Sequence, residues 1–373
     1  MRVIHLIKAT GVAGAERHLL DLLPGLRARG CDARLLVLVE RRRPADEFLE
    51  EARRRGVPAG REVIGGDVDP LLCARLALRL RRERPALLHT HLIHADLHGL
   101  AAARLARGPE VVTTRHNDDP FRRRWPVRPL LRLCWRGVAG GIAVSRAVRH
   151  FSREAEGAPA TLPVVHHGIA PPESEDREAV RASLGLDRGA LVAGMLCRLT
   201  AQKGAADGLA AFAAAARAHP GAILLLAGDG PERAALERRA ALLGIGERTR
   251  FLGWRDDANR ILWALDVLIA PSRWEGFGLV VLEAMARGVA VLATRAGALP
   301  ELVADGETGL LAAPGDVEAL AAGLARLLGD AGLRARLGAA GRERARERFG
   351  LARMVAETLA VYERALRDAG GTA

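Results

Sequence analysis

Short apolar runs recur along the chain, each followed by a longer stretch whose apolar positions return every three or four residues. Continuous apolar runs predict strands buried on both faces, and the longer period predicts amphipathic helices. In the first half, strands are expected at 3–7, 34–39, 62–64, 86–89, 110–114, 141–144 and 163–165, and helices at 14–29, 71–84 and 94–107. Regular alternation gives a parallel, doubly wound sheet. The polar, turn-rich stretch Pro171-Pro172-Glu173-Ser174-Glu175-Asp176 interrupts the pattern, and 169–189 reads as an interdomain linker. Alternation resumes with strands at 191–196, 222–227, 250–252, 265–270 and 289–293, a second doubly wound sheet. From Asp316 onward the chain is helical and rich in Ala, Leu and Arg. Ligands of such sheets bind beyond the carboxyl ends of the strands. Two sheets facing each other across a cleft would therefore bring sites from both halves together.

Length agrees with this division, since 373 residues suit two domains of about 150–200 each. No apolar run approaches the roughly 20 residues of a membrane span, and the apolar N-terminus reads as a first strand rather than a signal peptide. Cys31, Cys73, Cys134 and Cys197 lie far apart without metal-ligand spacing, and read as reduced thiols of a cytoplasmic protein.

Charge adds an asymmetry. Residues 1–168 carry 30 Lys+Arg against 18 Asp+Glu, and residues 169–373 carry 26 against 26, so the whole net charge of +12 lies in the first half. Between Phe121 and Arg153 there are nine arginines and no acid, Arg122, Arg123, Arg124, Arg128, Arg132 and Arg136 among them. Two readings stay open: a solvated helix surface, or a patch for an anionic membrane surface or a phosphorylated acceptor, with Trp125, Leu130, Leu131 and Trp135 as its apolar part. Only two of the 56 basic residues are lysines, Lys8 and Lys203. A surviving lysine marks either chance or a place where a compact ammonium fits and a guanidinium does not.

The stretch P-S-R-W-E-G-F-G-L-V-V-L-E-A-M-A-R-G, residues 271–288, carries the most chemistry. It reads as the end of a strand, a glycine turn and the start of a helix, which aims backbone N–H groups and a positive helix end at an anion. Glu275 falls on the turn and Glu283 one to two turns into the helix. Carboxylates beside a phosphate site are suited to sugar hydroxyls, so the segment suggests a nucleotide-sugar pocket. Arg198 and Lys203, after the first strand of the second half, are spaced to flank a diphosphate. Gly228-Asp229-Gly230-Pro231 offers either a backbone contact to a nucleotide or simple turn chemistry. Gly11-Val12-Ala13-Gly14-Ala15-Glu16 departs from the dinucleotide fingerprint, yet its amides can approach a diphosphate. His89, His91, His94 and His98 suggest a metal cluster at first sight, but no carboxylate or cysteine completes a recognisable set, and no metal is expected. His116 ends a strand, where it either donates a hydrogen bond to a sugar or phosphate or serves as a packing or capping group. No nucleophile elbow, Cys–His pair or P-loop is present.

With these motifs the chain resembles the family 4 retaining glycosyltransferases of the GT-B fold, also described as glycosyl transferases group 1. The resemblance spans nearly the full length. It is carried by Gly11-x-x-Gly14-Ala15-Glu16, Thr114-x-His116, Arg198-x-x-x-x-Lys203-Gly204, Pro271-Ser272-x-x-Glu275-Gly276-Phe277-Gly278 continuing to Glu283-Ala284, and the Leu310–Asp316 turn. It implies an α/β architecture of two Rossmann-like domains: an acceptor domain at 1–168, a linker at 169–189, a donor domain at 190–350, and a last helix within 351–373 packing back on the first domain. Arg198 and Lys203 would hold the donor diphosphate and offset charge on the leaving nucleotide. Glu275 would meet sugar hydroxyls, Glu283 the ribose, and His116 the sugar near the reaction centre. Gly14, Ala15, Gly228, Gly230, Trp254, Gly276, Phe277, Gly278, Leu279 and Val280 would complete the donor site. The donor phosphate would act as base, so neither protein nucleophile, metal nor other cofactor is required. The chain departs from the family at Ala290, often Pro, and at His167, often Asn.

The resemblance implies transfer from a nucleotide-diphosphate sugar, UDP- or GDP-linked foremost, to a glycan or lipid-linked hydroxyl in cell-envelope synthesis, with peripheral attachment to the inner membrane face. A sugar-nucleotide epimerase or phosphorylase would share the fold, but the paired glutamates argue against it. A basic nucleic-acid-binding protein would draw on the charged half alone. Aromatic residues at 3% leave few stacking platforms, so no nucleic-acid partner is expected.

Overall fold

The computed structural model describes residues 1–370. The chain divides into two units, Met1–Ala170 together with the chain from Leu351, and Pro171–Gly350.

The first unit alternates β1 (Arg2–Lys8), α1 (Gly14–Ala28), β2 (Asp32–Val39), α2 (Asp46–Arg54), β3 (Ala59–Val63), α3 (Pro70–Glu83), β4 (Leu87–His91), α4 (Ile93–Ala106), β5 (Glu110–Arg115), α5 (Val127–Trp135), β6 (Gly140–Ala143) and α6 (Arg146–Glu156). The strands form a parallel sheet in the order β3-β2-β1-β4-β5-β6, so the connections reverse direction between β1 and β4. Side chains alternate across β1. Val3 and Ile7 join the core beneath α1, while Ile4 and Leu6 join the core beneath α3 and α4. His5 falls on the α1 side of that alternation. There α15 (Leu351–Gly370) also packs, through Met354, Val355, Val361 and Tyr362.

The second unit runs α7 (Arg177–Ser183), β7 (Val192–Leu196), α8 (Ala205–Ala215), β8 (Ile223–Ala227), α9 (Arg233–Leu242), β9 (Thr249–Gly253), α10 (Ala258–Ile261), β10 (Val267–Ala270), α11 (Leu279–Ala286), β11 (Ala290–Thr294), α12 (Leu299–Leu302), β12 (Leu310–Ala312), α13 (Val317–Gly329) and α14 (Ala331–Arg348). Its parallel sheet has the order β12-β11-β10-β7-β8-β9 and reverses between β10 and β7. Each unit is thus a Rossmann-like doubly wound sheet with one switch point.

Three expectations change. The strand expected at 163–165 is a single bridge, Ala143 to Val164, because Pro163 has no N–H to extend the ladder. The turn at 310–316 begins with a strand, β12, pairing with β11 from Leu292 to Thr294. Part of the expected linker at 169–189 is helix: Asp176 caps α7 by accepting from Glu178 and Ala179 amides. Arg181 ties α7 into the second unit, reaching Ala264 O at 3.0 Å and Asp266 Oδ2 at 2.8 Å.

Candidate active site

In the second unit the loops after β7 and β10 flank the switch point. Two glycines allow these loops and the loop after β11 to touch. Gly204 has φ +62°, and a Cβ there would lie 2.1 Å from Pro271 O; Gly297 has φ +49°, and its Cβ would lie 2.0 Å from Glu275 O. No L side chain fits either place. The loops are stitched by Arg273 N donating to Gln202 O (2.8 Å), Gln202 Nε2 to Trp274 O (3.2 Å), and Ala298 N to Glu275 O (3.0 Å).

This scaffold joins Lys203 Nζ to Glu275 Oε2 at 2.5 Å, with their side chains 18% and 12% exposed. Sequence reasoning gave the two residues separate ligands, but here they hold each other. Ser272 Oγ donates to the same oxygen at 3.1 Å. Neither bond falls on Oε1, and an ammonium has three donors, so both groups keep capacity for a polar ligand. Arg198, on the same loop as Lys203, is exposed and has no side-chain partner among the described residues. Burial pushes the neighbouring Cys197 thiol up to about 11, which makes it a poor nucleophile.

Gly278 caps α11 with φ +93°, and its carbonyl accepts from Val281 and Leu282. The amides of Leu279 and Val280 have no acceptor within the helix and form its positive end. Glu283 is buried on the second turn, and Gly276 is buried in the preceding loop. Phe277 is buried and packs edge-on against Phe349, with ring centroids 6.2 Å apart, so its side chain belongs to the core and only its backbone can serve a ligand. Gly228 and Gly230 lie against the β7 loop, where Leu199 N donates to Asp229 O and Glu232 N to Leu199 O. Trp254, after β9, is exposed and donates to Asp256 Oδ1 at 2.9 Å.

The first unit places different chemistry at its strand ends. Gly14 and Ala15 open α1, whose start is closed by Glu16 accepting from Ala13 N at 3.1 Å. His116 follows β5 and belongs to a cluster of six buried histidines, His5, His18, His89, His91, His116 and His167, while a seventh, His98, is buried elsewhere in the unit. Their rings pack closely, His18 on His167 with centroids 4.1 Å apart and His89 on His91 at 4.2 Å. Burial, the leading cause throughout, holds His5 and His18 down at about 3 and the other four well below the ordinary value. All six are neutral near pH 7. His94 and His98 stand apart: His94 Nε2 bonds Asp67 Oδ1 at 2.9 Å, and His98 Nε2 accepts from Asp69 N at 3.1 Å. Ring nitrogens of His5, His89 and His91 lie within 4.8 Å of one another, a spacing that a metal ion could bridge. They are instead hydrogen-bonded among themselves and to Tyr362 Oη. The sequence reading missed His5, His18 and Tyr362, whose only signal is a polar residue in a buried period-two or 3.6 register.

Beside them lies a buried ion network, also missed. Arg115 pairs with Asp96 Oδ2 (2.6 Å) and Glu156 Oε2 (2.5 Å), and Arg122 with Glu156 Oε1 (2.6 Å). Arg122 is 2% exposed, so it leaves the expected basic patch for the interior, where Glu156 compensates its charge. Trp135 and Leu131 are buried as well, Trp135 under the Arg115 guanidinium at 4.7 Å. What remains exposed is Phe121, Trp125, Leu130 and Leu133 among Arg123, Arg124, Arg128, Arg132 and Arg136. Among the described residues no helix is long and apolar enough to cross a membrane.

Residues 176–344 match the family model described as glycosyl transferases group 1, and residues 12–171 the model described as glycosyltransferase family 4. The chain is 30% identical to α-maltose-1-phosphate synthase of Mycolicibacterium smegmatis, covering 94% of this chain and 95% of that one. It is 33% identical to 2-deoxystreptamine glucosyltransferase of Streptomyces kanamyceticus, over 87% and 91%. Among solved structures, Anabaena HepE in complex with UDP and glucose superposes with a TM-score of 0.84 at 26% identity, over 96% of this chain and 99% of that one.

Proposed function

The chain belongs to the family 4 glycosyltransferases, enzymes of GT-B fold that transfer hexosyl groups, and from that premise we propose that it is a retaining transferase using a nucleotide-diphosphate sugar, UDP-linked before GDP-linked. The observation that carries the reading is the Lys203–Glu275 pair at the switch point, beside Arg198 and the start of α11. Arg198, Lys203 and the amides of Leu279 and Val280 supply positive charge for a diphosphate. Glu275, with Oε1 available, accepts from sugar hydroxyls, and Glu283 from the ribose. The bond from the anomeric carbon to the diphosphate oxygen breaks as the acceptor hydroxyl bonds to that carbon on the same face. The acceptor's proton passes to the departing phosphate oxygen. Charge builds on the leaving diphosphate, where fixed cations are worth most. With these cations in the role a metal ion would take, transfer is proposed to need no metal. His116 hydrogen-bonds the transferring sugar or its phosphate.

Calorimetric titration with UDP, GDP, ADP and dTDP, on the native protein and on Lys203→Ala, tests this. One nucleotide is expected to bind at micromolar strength and to lose about 2 kcal/mol, roughly thirtyfold, in the variant. Binding of none of them by the folded protein would reject the donor assignment.

For the acceptor we propose a lipid-linked or glycan hydroxyl of the cell envelope, met at a membrane surface. Its support is the exposed set of Trp125, Leu130, Leu133 and five arginines around α5, apolar and basic together. Vesicles containing anionic lipid are expected to retain the protein and release it at high salt. Equal retention by neutral vesicles would count against the patch.

A further inference from the structure

Five hydrogen bonds link six side chains of the first unit end to end. Thr114 Oγ1 meets His89 Nε2 at 2.7 Å, His89 Nδ1 meets Tyr362 Oη at 2.6 Å, and Tyr362 Oη meets His5 Nε2 at 3.2 Å. His5 Nδ1 then meets His91 Nε2 at 3.1 Å, and His91 Nδ1 meets His116 Nε2 at 2.9 Å. Every member is neutral, so each carries one exchangeable proton: a hydroxyl proton or a single ring N–H. Six protons serve five bonds. If no bond is left with two protons or none, one proton is surplus: it sits at an end of the chain, or on Tyr362 Oη accepting from both imidazoles, where it would be a fully buried donor with no acceptor.

The two ends are unequal. Thr114 Oγ1 is buried in the sheet, and among the described residues its only partner is His89. A surplus proton there is a buried donor with no acceptor, which costs about 1–3 kcal/mol. At the other end the surplus proton is the Nδ1–H of His116, an atom that is buried and has no partner among the described residues. With the surplus at Thr114 two buried atoms go unmatched, the hydroxyl proton and the bare His116 Nδ1; with it at His116 only the Nδ1–H does, and an acceptor oxygen of a bound nucleotide sugar would remove that cost too.

We propose that this chain fixes the tautomer of His116, with Nε2 accepting from His91 and Nδ1–H offered to an acceptor oxygen of the nucleotide sugar, and that Tyr362 of α15 is the positioning residue that sets it. The proposal rests on the reading of His116 as a residue that touches the donor. Thr114 donates to His89, His89 to Tyr362, Tyr362 to His5, His5 to His91 and His91 to His116. Tyr362 holds the middle of the relay, because its hydroxyl accepts from one imidazole and donates to the next. Removing that oxygen separates His5, His91 and His116 from Thr114 and frees their tautomers to invert together.

Long-range proton–nitrogen correlation spectra of protein labelled with nitrogen-15 in histidine read the tautomers directly, with His116→Gln assigning the signal. The native protein is expected to show His116 as Nδ1–H at pH 7.5, with and without UDP. Tyr362→Phe is expected to give a mixture of both tautomers. Its kcat should fall about tenfold, the size of one net hydrogen bond, with KM for the donor within about twofold. Thr114→Val, which removes the first donor, should shift the mixture in the same direction and serves if Tyr362→Phe does not fold. An Nε2–H signal for His116 in the native protein, or an unchanged tautomer in both variants, overturns the proposal. So does stoichiometric zinc lost on His5→Gln, because a metal would occupy the lone pairs the chain uses. Nucleotide titration separates the two levels. A protein that binds UDP with the wrong tautomer breaks only the relay, and one with the expected tautomer and no nucleotide binding breaks only the functional reading.

Discussion

The two units share one strand order and equip it differently. At the switch point of the second unit, charged side chains sit on loops, half-buried or exposed, with Lys203 and Glu275 paired and Arg198 open. In the first unit the polar groups are buried, most of them in strands and helices: six neutral imidazoles, Tyr362, and the Arg115–Glu156–Arg122 network. In the proposed function the first arrangement exchanges its partners for a charged ligand. The second has its partners inside the protein, and its polarity is therefore worth more to stability.

The sharpest way to break that contrast is to remove one carboxylate from each unit. Glu156→Gln leaves Arg122 with no carboxylate and Arg115 with Asp96 alone, and is expected to cost about 3–5 kcal/mol. Asp266, which pairs with Arg177 at 2.6 Å and Arg181 at 2.8 Å, is 14% exposed, and Arg177 is 43% exposed. Asp266→Asn should cost only about 1–2 kcal/mol. Urea unfolding of the two variants decides, and equal losses would erase the distinction.

A smaller effect is expected where backbone, not charge, shapes the second site. Gly297→Ala drives a Cβ onto Glu275 O and should cost at least about 2 kcal/mol while displacing the Lys203–Glu275 pair. Gly244 has a similar φ, +68°, with nothing near its Cβ, and Gly244→Ala should cost about 1 kcal/mol with nucleotide affinity unchanged. If the two variants bind nucleotide alike, the close approach of Gly297 has no bearing on the site.

The same contrast explains what was legible in the sequence. Alternating apolar runs foretold both sheets, because parallel strands buried on two faces leave a continuous signature. The segment proposed as the donor loop was legible as strand, turn and helix because Glu275, Gly278 and Glu283 fall close together in one stretch of chain. The histidine relay was not, since His5, His89, His91, His116 and Tyr362 come from β1, β4, the end of β5 and a distant helix, and only folding brings them together. Arg122 was misplaced for a related reason. Charge counts along the chain record arginines, not the Glu156 that lies 34 residues on and draws one of them inside. The short β12 and the linker helix α7 lay below the length at which periodicity separates them from turns.

On α11, Glu283→Gln is expected to weaken nucleotide binding about tenfold, near 1.4 kcal/mol, through loss of the charged acceptor proposed for the ribose. Calorimetry on the folded variant checks it, and unchanged affinity would remove Glu283 from the ribose.

The last prediction concerns acid. His5 and His18 titrate at about 3 when folded against about 6.5 when unfolded. Between those values the unfolded chain binds protons that the native state refuses, so stability is full above about pH 6.5 and falls as pH drops towards 3. Each such imidazole contributes a slope of about 1.4 kcal/mol per pH unit. His18 lies outside the relay and its Nδ1 has no partner, so His18→Gln removes one slope without cutting the chain of hydrogen bonds. Urea unfolding at pH 7.5, 6.0 and 5.0 should show a shallower decline for His18→Gln than for the native protein. Of the eleven histidines only His219 lies in the second unit, so the histidine-driven loss should appear in the signals of the first unit before those of the second. Simultaneous loss, with the same slope in both proteins, would mean that the buried imidazoles do not set the acid limit.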